Sequence, residues 1–143
     1  MPFVMPSKQD FQNVVDLIRR KWPNCVGIGI FGSVARGTAN EASDIDLLIV
    51  LDSGTSVFRG LYSMWDETVS RELPHGDWAP HFVECLSSEK DPGSIWLEFA
   101  YYGKILWSSD SFDCALERVR SNIAAGIFYR RKEPGTPFYW VKK

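Results

Sequence analysis

The chain has 143 residues, of which 45% are apolar and 24% charged, with a net charge of -2. These proportions sit near the globular average and exclude wholesale disorder, collagen and coiled coil. The length predicts one domain over 1–143, and the near balance of charge is not that of a generic basic nucleic-acid binder. Cys25, Cys85 and Cys114 are far apart and form no CxxC pair, so neither a disulfide framework nor a zinc ribbon is implied. The first residues lack a signal-peptide core, and no apolar run approaches the ~20 residues of a membrane span. The expected compartment is the reducing cytoplasm.

Residues 7–21 read as a helix: Ser7 caps, Asp10 follows at capping-box spacing, and Phe11, Val14, Val15, Leu17 and Ile18 repeat helically. Trp22-Pro23-Asn24 stops it. Residues 25–31, CVGIGIF, read as a buried strand; SVARG then makes a turn or two of helix, and residues 38–43 a polar loop. Residues 44–51, DIDLLIVL, read as a strand closed by Asp52-Ser53-Gly54. A helix is expected over 56–72, with Val57, Leu61, Met64, Trp65 and Val69 on one face. A third strand is expected over 80–87, a short helix over 94–102 and a short strand over 104–107. The spacing of Phe112, Leu116, Val119, Ile123, Ile127 and Phe128 predicts a long helix over 111–131. Pro134, Gly135 and Pro137 make the aromatic and basic tail 133–143 a loop or extended arm. Alternating helices and strands predict an α/β (α+β) fold with a small mixed sheet flanked by helices.

The segment richest in chemistry is Gly32–Val50, GSVARGTANEASDIDLLIV. On a strand, Asp44 and Asp46 share a face, about 6–7 Å apart, while Ile45 and Leu47 face a core. Two such carboxylates repel unless a cation lies between them, and Mg²⁺ suits a few carboxylates completed by phosphate oxygens and water. The bland alternative is a capping Asp44 and an exposed Asp46. Gly32 and Ser33 at a strand end form a turn into a helix, a place where backbone N–H groups and a hydroxyl meet anions. Arg36 stands one turn on, within reach of a phosphate. An ordinary strand-to-helix turn is the alternative for this part. Together, a phosphate-cradling turn, the loop 34–43 and an Asp-x-Asp strand set triphosphate and metal side by side.

Gly-Ser, a ten-residue spacer and Asp-hydrophobic-Asp-hydrophobic resemble the signature of the DNA polymerase β-like nucleotidyltransferase superfamily. In detail the segment is similar to its minimal nucleotidyltransferase (MNT) branch, small proteins often paired with a HEPN-domain toxin. The resemblance is specific over 25–51 and extends in layout to about residue 108. It implies a nucleotidyltransferase fold in which Gly32 and Ser33 hold the nucleotide phosphates and Asp44 and Asp46 ligate Mg²⁺ or Mn²⁺. It implies transfer of a nucleoside monophosphate, AMP above all, from ATP or another NTP to a hydroxyl of a protein or small molecule, with release of pyrophosphate. It also implies a third carboxylate from a neighbouring strand. Glu84 in HFVEC is the strand candidate, although the family position falls earlier, where His81 and Phe82 stand. Asp77 and Glu89 are loop alternatives, and an exposed edge-strand glutamate is the bland reading of Glu84. The competing class is a catalytically inactive, antitoxin-like binding partner of a HEPN-type protein that keeps the fold. The chain lacks the Arg-x4-His motif of the HEPN half itself.

Other signals are set aside. Gly27–Gly32 matches GxGxxG, but the glycines lie within the strand rather than after it. No P-loop lysine and no GxSxG are present. His81 and Cys85 have no further zinc ligands. In the tail, Arg130, Arg131, Lys132, Lys142 and Lys143 interleave with Phe138, Tyr139 and Trp140. That pattern suits docking of a protein partner, stacking on single-stranded nucleic acid, or a tail folded back on its own domain.

Overall fold

The structure is a computed structural model describing residues 3–143; Met1 and Pro2, which open the segment read as lacking a leader, lie outside the described residues. Helix α1 (Lys8–Lys21) begins with the expected capping box: Ser7 Oγ accepts from the Asp10 N–H at 3.0 Å, and Asp10 Oδ2 accepts from the Ser7 N–H at 2.9 Å. Such caps contribute about 1 kcal/mol. Strand β1 (Cys25–Phe31), helix α2 (Gly32–Arg36) and strand β2 (Ile45–Leu51) follow. Helix α3 (Arg59–Met64) widens into a π-helical turn over Trp65–Val69 and tightens to a 3-10 turn over Ser70–Glu72. Val57, expected on its inner face, precedes the helix and is exposed. Strand β3 (Trp78–Glu84), helix α4 (Ser94–Tyr102), strand β4 (Lys104–Ser108) and helix α5 (Asp110–Ala124) complete the main body.

The sheet runs β3-β2-β1-β4, with β1 antiparallel to both neighbours and β2 parallel to β3. Helices cover both faces, so the two central strands are apolar on both sides. One core gathers Val14 and Ile18 of α1, Trp65 and Val69 below α3, and Ile45, Leu47, Ile49 and Leu51 of β2. The other gathers Leu48 and Val50 with Trp96, Phe99, Phe112, Leu116 and Phe128. The glycines of β1 explain themselves here. A Cβ on Gly27 would strike the Phe112 ring, and one on Gly29 the Phe99 ring. They are packing positions within a strand, not a dinucleotide turn.

Two expectations need correction. The last helix stops at Ala124, not 131, because Gly126 turns the chain at φ +76° and the Ile127 N–H returns to the Asn122 carbonyl at 2.9 Å. This glycine stop outweighs the apolar spacing that runs on through Ile127 and Phe128. The tail is also no free arm. Phe128–Arg131 (β5) and Tyr139–Lys142 (β6) form an antiparallel hairpin, pairing Arg130 with Trp140. Among the described residues, no helix is long and apolar enough to cross a membrane.

Candidate active site

Two of the sequence-predicted residues, Gly32 and Asp46, meet where β1 ends and β2 begins. Phe31, the last residue of β1, pairs with Asp46, the second residue of β2. The next residue, Gly32, has φ +71°, and a Cβ built on it would collide with Asp46 Oδ2. Glycine is therefore required twice, for a left-handed backbone and for contact with a carboxylate. Ser33 follows in α2, whose close at Gly37 (φ +76°) returns the Thr38 N–H to the Ser33 carbonyl at 2.9 Å. Asp44 stands exposed just before β2, Ile45 is buried, and Asp46 is half-buried. The two aspartates flank a core residue, but β2 starts one residue later than the sequence predicts, so only Asp46 lies within the strand.

Strand β3 begins at Trp78, two residues before the expected start, and its register decides the third position. Asp46 pairs with Ala79, and Leu48 with His81. His81 Nε2 lies 3.1 Å from Asp46 Oδ1, and its ring packs edge-on against Phe31 with centroids 5.0 Å apart. Glu84 is not at this site. It pairs with Leu51 at the far end of β2, five residues from Asp46's row, or roughly 17 Å at ~3.3 Å per residue. Its Oε1 accepts from the Gly54 N–H at 2.8 Å, so it serves the β2 exit turn. The mismatch arises because β2 and β3 run parallel: a residue late in β3 lies late along β2, whereas the aspartates are early. Asp77, in the turn before β3, lines a shallow hollow of about 350 Å³ together with Asp44. Glu89 is exposed in the loop after β3.

Arg36 ends α2 and is already engaged. Its Nη1 lies 3.5 Å from Glu98 Oε1 on α4, and its guanidinium is 5.8 Å from the Tyr102 ring centre. Glu98 escaped sequence reasoning because nothing in the α4 segment marks it; only the packing of α4 beside α2 does. An open groove of about 790 Å³ runs from Phe31 and His81 past Glu98 to Phe138 and Trp140 of the hairpin. Burial pushes the Cys25 thiol up to about 11, and burial likewise raises Cys85, so neither is a ready thiolate nucleophile.

Among the described residues, no three His, Cys, Asp or Glu side chains gather into a metal cage. By type, the donor set of Asp44 and Asp46 nevertheless suits a hard divalent ion shared with substrate. It does not suit an ion held by protein ligands alone.

Solved structures of similar fold are known. A chain from a toxin–antitoxin structure with AMP-PNP is 18% identical, with TM-score 0.56 over 80% of this chain and 87% of that one. One from the toxin–antitoxin MntA–HepT is 15% identical, with TM-score 0.53 over 83% and 88%. One from a tri-AMPylated Shewanella oneidensis HEPN toxin in complex with MNT antitoxin is 17% identical, with TM-score 0.53 over 83% and 88%. At such identities the likeness is one of fold. No curated protein matches the sequence. The family model of the nucleotidyltransferase domain matches residues 12–94, from α1 to the start of α4 and including Gly32, Asp44 and Asp46. With more than half its length matched, the chain belongs to the nucleotidyltransferase domain family.

Proposed function

We propose that this protein transfers AMP from ATP to a hydroxyl of a HEPN-type partner protein, with Asp44 and Asp46 as the metal ligands. The observation that carries the reading is the contact of the Gly32 backbone with the Asp46 carboxylate, which brings the phosphate turn and the acidic strand together. Two of the structures of similar fold support the partner and the nucleotide, one a toxin–antitoxin with AMP-PNP and the other an AMPylated HEPN toxin with an MNT antitoxin. A divalent ion held by Asp44 and Asp46 would neutralise the triphosphate. Gly32 and Ser33 orient the phosphates through the backbone and the Ser33 hydroxyl, and Arg36 adds a cation. The acceptor oxygen bonds to the α-phosphorus, the bond from that phosphorus to the bridging oxygen breaks, and pyrophosphate leaves. The acceptor's proton passes to the Asp46–His81 pair. Such catalysis is mainly positioning and charge neutralisation.

His81 favours a second reading. Where the family resemblance implies a carboxylate, this chain sets an imidazole beside Asp46, which supports a nucleotidyltransferase-fold binding partner of low or no activity. One experiment separates the two. The protein is incubated with a HEPN-type partner, ATP labelled at the α-phosphate, and Mg²⁺ or Mn²⁺. Label on the partner that is lost in Asp46→Asn supports transfer. Metal-dependent nucleotide binding without label supports the binding partner. Nucleotide binding equal in excess EDTA and unchanged in Asp46→Asn refutes both.

A further inference from the structure

Glu98 lies beyond the family-matched segment 12–94, yet it is the residue that meets Arg36. Its two oxygens divide their work. Oε1 lies 3.5 Å from Arg36 Nη1 and 4.0 Å from Arg130 Nη2. Oε2 accepts from the Trp140 indole N–H at 3.1 Å. Arg130 and Trp140 belong to the hairpin, and Arg130 is itself fixed: its guanidinium lies 4.1 Å from the Phe138 ring centre and 4.9 Å from that of Tyr102, whose hydroxyl accepts at 3.0 Å. One carboxylate thus sits between two guanidiniums and an indole, held by two groups of the C-terminal hairpin and free to direct only the third, Arg36. Arg36 is about one-third exposed, and its long side chain would otherwise sample many rotamers.

We propose that Glu98 is a positioning residue for nucleotide binding: anchored by Trp140 and Arg130, it pre-orients Arg36, so that the C-terminal hairpin sets the affinity of the phosphate site. This rests on the reading of Arg36 as a phosphate contact. The alternative sign is that Glu98 competes with phosphate for Arg36, in which case removing it would tighten binding. Ordering of Arg36 outweighs competition here because the Glu98 charge is already shared with Arg130, which leaves the three charged groups net positive towards an incoming anion.

The test is calorimetric titration of the full chain with AMP-PNP and Mg²⁺. An exposed ion pair contributes up to about 1 kcal/mol, so Glu98→Ala is expected to raise Kd up to about fivefold. Glu98→Gln, which still accepts from Trp140 and from Arg36, is expected to restore most of that loss. Trp140→Phe, which removes the indole donor, is expected to weaken binding in the same direction as Glu98→Ala, and by less. Once Arg36 is replaced by Ala, Glu98→Ala is expected to add no further loss, which a merely structural role would not predict. Unaltered or tighter binding in Glu98→Ala, or an additive loss on top of Arg36→Ala, overturns the proposal. If Arg36→Ala itself leaves Kd unchanged, the Arg36 reading fails instead. The Gln and Phe variants keep the argument decidable should Glu98→Ala fold poorly.

Discussion

Gly32→Ala and Gly37→Ala form a matched pair that tests the heart of the site. Both glycines hold a left-handed backbone, φ +71° and +76°. An alanine in that region costs about 1–2 kcal/mol, partly offset by the lower entropy of its unfolded chain. A Cβ on Gly37 meets nothing within 4 Å, so the backbone cost of about 1 kcal/mol is all it should show. A Cβ on Gly32 meets Asp46 Oδ2 as well. Asp46 must then leave its rotamer and its contact with His81, adding about 0.5–1.5 kcal/mol for the rotamer and about 1 kcal/mol for the hydrogen bond. The expected totals are about 1 kcal/mol for Gly37→Ala and about 2–4 kcal/mol for Gly32→Ala. At ~2–4 °C per kcal/mol, Tm falls by about 2–4 °C in the first and at least twice that in the second. Calorimetric binding of AMP-PNP with Mg²⁺ should survive in Gly37→Ala and drop at least about tenfold in Gly32→Ala, because the displaced carboxylate is a proposed ligand. Equal Tm losses together with equal affinities would refute the claim that Gly32 and Asp46 form one unit.

Glu84→Gln is expected to leave nucleotide transfer unchanged, since Gln keeps an acceptor for the Gly54 N–H and the residue lies at the far end of β2; a selective loss of transfer would return Glu84 to the site. His81→Asp puts a carboxylate beside Asp46, so Tm should fall in EDTA through like-charge repulsion and recover when Mg²⁺ and AMP-PNP are added; a Tm insensitive to metal would count against a shared ion. Cys25 is a group whose pKa is raised on folding, from 9.0 to about 11, so its stabilising effect is complete below pH 9 and is lost as pH rises towards 11. Denaturant unfolding should therefore lose about 1.4 kcal/mol between pH 8 and pH 10, with Cys85 acting in the same direction, and Cys25→Ala should flatten the slope. A slope unchanged in Cys25→Ala would assign the pH dependence to other groups.

Local spacing was enough to read the parts of the site that lie close together along the chain. Ser7 and Asp10 cap α1, Gly32 and Ser33 turn out of β1, and Asp44 and Asp46 flank the buried Ile45, all within single elements or adjoining ones. The resemblance to the family is legible in residues 25–51, and the family match itself spans 12–94. Periodicity fixes which side of an element a residue faces, and a capping or glycine signal fixes where the element ends. The long helix misjudged at 131 is the instructive failure, because Gly126 was that signal and the apolar spacing beyond it belonged to a strand. What stands beside Asp46 is a different matter. It depends on the register of β2 against β3, two parallel strands joined by a long crossover, and no period within either strand encodes that offset. The register selects His81 and sends Glu84 to the opposite end. Likewise only packing joins Arg36 to Glu98 and Glu98 to Trp140, residues that lie 62 and 42 positions apart. The tertiary structure decides these contacts because burying both faces of the sheet is what brings α4 over α2 and folds the hairpin onto α4.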